Sequence, residues 1–143
     1  MQTIAVFEEL QRARAARKRA LEEFEALKQR ADGVGAVKYS AAKSCNTGAT
    51  HSSVESMAIL LDMAHERFAD AVNKECGLMK EVMQLIDLAP MSIGRVVLSR
   101  RYLLGQSITE LAEELDISIS YAHRARNKAM KELAAILEKQ TAA

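Results

Sequence analysis

The stretch Ser107 to Met130, "SITELAEELDISISYAHRARNKAM", sorts its charges by position: all its acids precede Ile117 and all its bases follow Ser118. Ser107 and Glu110 match the reciprocal capping pattern that opens a helix, so a short helix is expected over Ile108 to Leu115. "DIS" then turns the chain, and Ser118 caps a longer helix running to about Glu138. A short helix, a tight turn and a longer helix cross closely only if the facing side chains are small or aliphatic. Leu111, Ala112, Leu115, Ile117, Ala122 and Ala125 meet that need. Asp116 falls in the turn, where a left-handed backbone is often required and Asp tolerates it.

The second helix of the pair then presents Ser120, Tyr121, His123, Arg124, Asn127 and Lys128 to solvent, with Arg126 and Lys131 on its flanks. No acid occurs between Ser118 and Lys131. A helix seated in the major groove needs hydrogen-bonding groups for base edges and cations for the phosphates around them. The expected ligand is double-stranded DNA, read by a recognition helix over residues 118–138. Ser118, Ser120, Tyr121, His123, Arg124, Asn127 and Lys128, with Arg126 on the flank, form the candidate contact surface, while Lys131, Arg100 and Arg101 are candidate phosphate anchors, Arg101 being also a candidate structural residue. Glu110, Glu113 and Glu114 belong to the shorter helix and can face away from a duplex.

Upstream, "MSIGRVVLSRRYLLG" from Met91 to Gly105 supplies a further helix, capped by Ser92 and terminated by Gly105. The succession Arg101 and Tyr102, Gly105, Ser107 with Glu110, Leu111 and Ala112, Leu115 with Ile117 and Ser118, then Ala129 with Leu133 resembles region four of bacterial sigma factors. The resemblance covers about a quarter of the chain. With helices in front, it is most similar to the sigma-region-four-like regulators of phages and prophages, the RinA and ArpU type. That resemblance implies a transcriptional regulator, with RNA polymerase as a candidate partner, rather than a complete sigma factor. Arg100 stands where the family usually has an apolar residue, and Ala122 and Ala125 are smaller than its common Val, Ile or Leu.

In front of residues 91–143, the text from Thr3 to Ala31 has no Gly or Pro and carries Val6, Leu10, Ala13, Ala20, Phe24 and Leu27 at helical spacing. Its middle, "RARAARKR", breaks this stripe with Arg12, Arg14, Arg17, Lys18 and Arg19. Residues 32–52, with Gly33, Gly35, Gly48 and scattered Ser and Thr, read as a flexible loop. A second long helix is expected from Ser52, paired with Glu55 as a capping box, to about Leu88 before Pro90. Its stripe is Met57, Leu60, Leu61, Ala64, Phe68, Ala71, Val72, Cys76, Met79, Met83 and Ile86. Val54 to Pro90 holds seven acids against three bases, whereas the first helix is net basic. Opposite charges favour an antiparallel, coiled-coil-like hairpin over residues 1–90, with a homodimer formed through it.

The fold class expected is therefore all-α: a helical hairpin followed by a sigma-region-four-like helix-turn-helix domain. Composition agrees, with 49% hydrophobic residues, 4% aromatics and a single Pro. Net charge is only +1, so attraction to a polyanion has to come from local charge placement. Cys45 and Cys76 lack ligand spacing and read as reduced thiols of a cytoplasmic protein. No apolar run nears the roughly 18 residues of a membrane span, so no membrane partner is expected. "HERFA" has Ala69 where a zinc-protease helix needs its second His, and "GVGAVK" lacks phosphate-loop spacing. Neither an enzyme, a metal site nor a cofactor is expected. Two other readings fit the same text. One is a DNA-packaging subunit like the phage small terminase, and the other a protein-only helix-turn-helix module that binds RNA polymerase.

Overall fold

A computed structural model describes the backbone of residues 2–41 and 47–142 and the side chains of residues 5–32 and 53–142. Among the described residues every regular element is helical. The elements are α1 (Gln2–Ala41), α2 (Thr47–Leu88), α3 (Ile93–Leu98), which runs on as a π-helical segment (Ser99–Leu103), α4 (Ile108–Leu115) and α5 (Ile119–Ala142). None is long and apolar enough to cross a membrane.

Helix enters the loop expected over residues 32–52 from both sides. α1 persists to Ala41 and α2 has already begun at Thr47, upstream of the expected cap at Ser52; residues 42–46 lie outside the described set. Each glycine inside a helix costs only about 1 kcal/mol relative to Ala. Extending a helix that is already nucleated adds one hydrogen bond per residue, so Gly33 and Gly35 weaken α1 without ending it.

Both long helices carry seams with alternating gaps of three and four residues. In α1, Val6, Leu10, Ala13, Arg17, Ala20, Phe24, Leu27 and Ala31 are buried or half-buried, so Arg17 occupies a seam position instead of the outer face. In α2 Val54, Met57, Leu61, Ala64, Phe68, Ala71, Glu75, Leu78, Val82 and Leu85, followed by Ala89, are protected, and Ala69, Val72, Met79 and Ile86 beside them are protected as well. The series from Val54 to Ala89 keeps an unbroken 3.5-residue period, the pattern of helices that pack along their length. Three expected stripe members are displaced from it: Leu60, Cys76 and Met83 are exposed. Glu75 and Val82 take the places assigned to Cys76 and Met83.

Contacts group the chain into two units. One comprises Ala13–Lys74 and the other Met1–Arg12 with Glu75–Ala143. The division thus falls within α1 and within α2, whereas the sequence places the boundary at residue 90. In the first unit the Phe24 and His65 rings meet edge to face, with centroids 5.7 Å apart. In the second, the start of α1 and the end of α2 share a core with the C-terminal helices. Phe7, Leu10, Val82, Ile86 and Ala89 pack with Leu98, Tyr102, Ala129, Met130 and Leu133. Phe7 meets Tyr102 edge to face at 4.7 Å, a geometry that suits the quadrupoles of two aromatic rings. A second cluster joins Val97 of α3, Ile108, Leu111 and Ala112 of α4, and Ala122 and Ala125 of α5. Adjacent residues of α3, Val97 and Leu98, therefore serve the two clusters from neighbouring faces of one helix.

Candidate nucleic-acid interface

α4 starts at Ser107, whose Oγ accepts from the Glu110 N–H at 3.2 Å. It ends where Asp116 enters the left-handed region at φ 57°, ψ 45°. There the Asp116 N–H donates to the Glu113 carbonyl at 3.2 Å and the Ile117 N–H to the Ala112 carbonyl at 3.0 Å. This pair of bonds is the Schellman closure, which satisfies the last carbonyls of a helix while reversing the chain. Ser118 Oγ then accepts from the Tyr121 N–H at 3.1 Å and opens α5. Three residues, Asp116 to Ser118, thus separate the two helices. Ala122 and Ala125 bring the start of α5 onto Leu111 and Ala112. Their small side chains permit this close approach where larger ones would hold the helices apart.

The core-facing side of α5, through Ala122, Ala125, Ala129, Met130 and Leu133, determines which residues look outward. Ser120, Tyr121, His123, Arg124, Asn127, Lys128 and Lys131 are exposed. At 3.6 residues per turn, Ser120, Arg124, Asn127 and Lys131 form one ridge opposite the core. Lys131 therefore continues the outward face, where the sequence reading had set it on a flank. Ser118 is exposed too; its Oγ accepts the cap bond, which leaves its O–H able to donate. Among the described residues no ion pair or hydrogen bond engages the side chains of Arg124, Arg126, Lys128 or Lys131.

Grooves flank the ridge on both sides. One, of 240 Å³, separates α5 from the start of α3 and is lined by Ser92, Ile93, Gly94, Tyr121, Arg124 and Lys128, among others. Its depth depends on Gly94, because a Cβ there would lie 2.7 Å from the Ala125 carbonyl oxygen and 2.8 Å from the Ala129 Cβ. The other, of 380 Å³, is bounded by Glu8 and Gln11 of α1, by Tyr102, and by Arg126, Asn127, Met130 and Lys131 of α5. Arg126 is half-buried in it and sits off the ridge.

Arg100 and Arg101, expected to anchor phosphates, are instead engaged within the fold. The Arg100 guanidinium pairs with the Glu114 carboxylate, which also accepts from Gln106 Nε2 at 3.0 Å. Arg101 donates to the Gln106 carbonyl at 3.2 Å. Both arginines are half-buried, and together with the Gln106 N–H bond to the Arg100 carbonyl they tie the π-helical segment to the connection before α4. Gly105, at φ 72°, makes that connection. The sequence signal for this role was present in the acids of α4: with Glu114 within reach, an upstream arginine has a partner at home. Arg95, absent from the expected site, likewise bonds Asp87 at 3.2 Å and the Ala89 carbonyl at 3.3 Å, joining α2 to α3.

Chemically, the ridge offers hydroxyl, amide, guanidinium and ammonium groups without an intervening carboxylate. That set can hydrogen-bond base edges and neutralise phosphates. In comparisons with known proteins, the chain matches no family model, no curated protein and no solved structure.

Proposed function

We propose that this protein binds double-stranded DNA in a sequence-specific manner and regulates transcription, in the manner of the phage regulators whose sigma-region-four-like helix-turn-helix its sequence resembles. In this reading α4 and α5 are the support and recognition helices, and the ridge of α5 enters the major groove. α1 and α2 form a helical hairpin that pairs two copies, so that the dimer meets two half-sites. The observation that carries the reading is the acid-free ridge of Ser120, Arg124, Asn127 and Lys131, with cations that have no partner among the described residues. Arginines that serve the fold elsewhere, Arg95 and Arg100, are each paired with a carboxylate.

Selection of bound sequences from random duplex DNA by the purified full chain tests the proposal directly. A recovered consensus whose binding is lost on replacing Arg124 and Lys128 by Ala is the expected result. Duplex binding unchanged by both replacements at low salt would instead leave a protein-binding module. That second reading draws on the exposed apolar side chains around the same helices, Met91 at 86%, Leu104 at 66% and Ile119 at 48%.

A further inference from the structure

We infer that the DNA-contacting surface is not confined to the C-terminal helices, and that the start of α1 forms one wall of a track for the phosphodiester backbone. The inference rests on the DNA-binding reading and extends it to residues remote in sequence. The groove beside α5 places Glu8 and Gln11 of α1 opposite Arg126, Asn127 and Lys131. Asn127 and Lys131 also belong to the outward ridge, so groove and ridge share an edge. A duplex seated on the ridge brings one of its strands over that edge and against α1.

Three features fit this groove to an anionic strand. Arg126 is half-buried there and has no ion-pair or hydrogen-bond partner among the described residues. Its guanidinium is thus free to take a phosphate, the bidentate partner that its geometry favours. Gln11 adds an amide at the rim, able to donate to a phosphate oxygen. The one acid of the groove, Glu8, lies 3.5 Å from the Arg12 guanidinium one turn along α1. Both side chains are well exposed, at 60% for Glu8 and 74% for Arg12. Such exposed pairs are weak, so Arg12 can leave Glu8 for a phosphate at small cost. Glu8 then acts as the restraint on this part of the surface: it holds the cation when no strand is present and repels the strand when one arrives.

The test uses the full chain and duplex DNA in two forms, the selected site and a random sequence, with affinity measured across a salt series. Arg12→Ala is expected to lower affinity for both duplexes about threefold at moderate salt and the salt slope by about one, as for one lost phosphate contact. Gln11→Ala should weaken both alike, with the consensus unchanged. Glu8→Gln should act oppositely and tighten both. All three substitutions fall on exposed or rim positions, and circular dichroism confirms that each variant stays helical. If Arg12→Ala and Glu8→Gln leave affinity and slope unchanged while Lys131→Ala lowers them, the track along α1 is wrong and the α5 ridge stands alone. If the parent chain binds neither duplex, the DNA-binding reading falls and takes this inference with it.

Discussion

Single residues decide whether the C-terminal helices can approach as closely as they do. Gly94 lies under α5 with the Ala125 carbonyl and Ala129 Cβ in the space a side chain would need. Gly94→Ala gains the usual preference of Ala for helices, but it must push backbone against backbone. It is expected to destabilise by about 1 to 3 kcal/mol, as overpacking does; the denaturant midpoint at constant m-value measures it. Asp116 gives the opposite case, since its left-handed backbone costs a non-glycine residue roughly 1 to 2 kcal/mol. Asp116→Gly should leave stability unchanged or slightly raised, while Asp116→Val should lower it by at least that amount. Asp116 was legible beforehand because turn chemistry is local: the acid, the next two residues and the helix in front suffice to read it. Gly94 was not, since its role depends on α5, which the chain brings up from elsewhere; Arg100 was legible only in part, through the acids of α4 that could pair with it.

At the scale of elements, the existence of the helices followed from period and capping, but their ends and registers did not. The seam of α2 is instructive. Methionines and a cysteine near the right spacing drew the stripe through Cys76 and Met83, whereas continuing the gaps of three and four from Val54 leads to Glu75 and Val82. Hydrophobicity of single residues competed with period, and period prevailed even at the expense of burying a carboxylate. Val82→Ala should therefore cost about 2 kcal/mol and Met83→Ala much less, although Met is the larger side chain. Thermal unfolding of the two variants checks the order.

α5 carries the corresponding functional prediction. Arg124→Ala should cost about 1 to 3 kcal/mol at the preferred site and relax its consensus. Arg100→Ala, by contrast, should leave the salt slope of DNA binding unchanged, because its half-buried guanidinium is held by Glu114 within the fold, and should lower stability by no more than about 1 kcal/mol, as for a partly exposed pair. Parallel salt titrations of the two variants separate these outcomes. The outward residues of α5 could be anticipated from the buried alanines, while the flanking groove walls contributed by α1 and α3 could not.

For the whole molecule, the consequential fact is that one compact unit draws on both ends of the chain. Phe7, Leu10 and Val82 are fully buried there, against Leu98 and Leu133. A fragment of residues 91–143 keeps α3 to α5 but leaves half of that core without its partners. It is expected to retain helical signal but to lose cooperative melting and sharp amide dispersion in NMR spectra, whereas the full chain shows both. A fragment that folds as well as the whole would restore the boundary at residue 90.

The same arrangement imposes an order on biosynthesis. Phe7 and Leu10 are translated well before Tyr102, Met130 and Leu133, which share their core. Until then the amino-terminal helix has an uncovered apolar face, and contacts so distant in sequence close slowly for a helical protein. Chains interrupted before α5 present that face to chaperones and proteases, so synthesis itself selects for molecules in which α5 has been delivered. A pulse-chase with a protease added at intervals would show protection around Phe7 and Leu10 completed only after α5 has emerged.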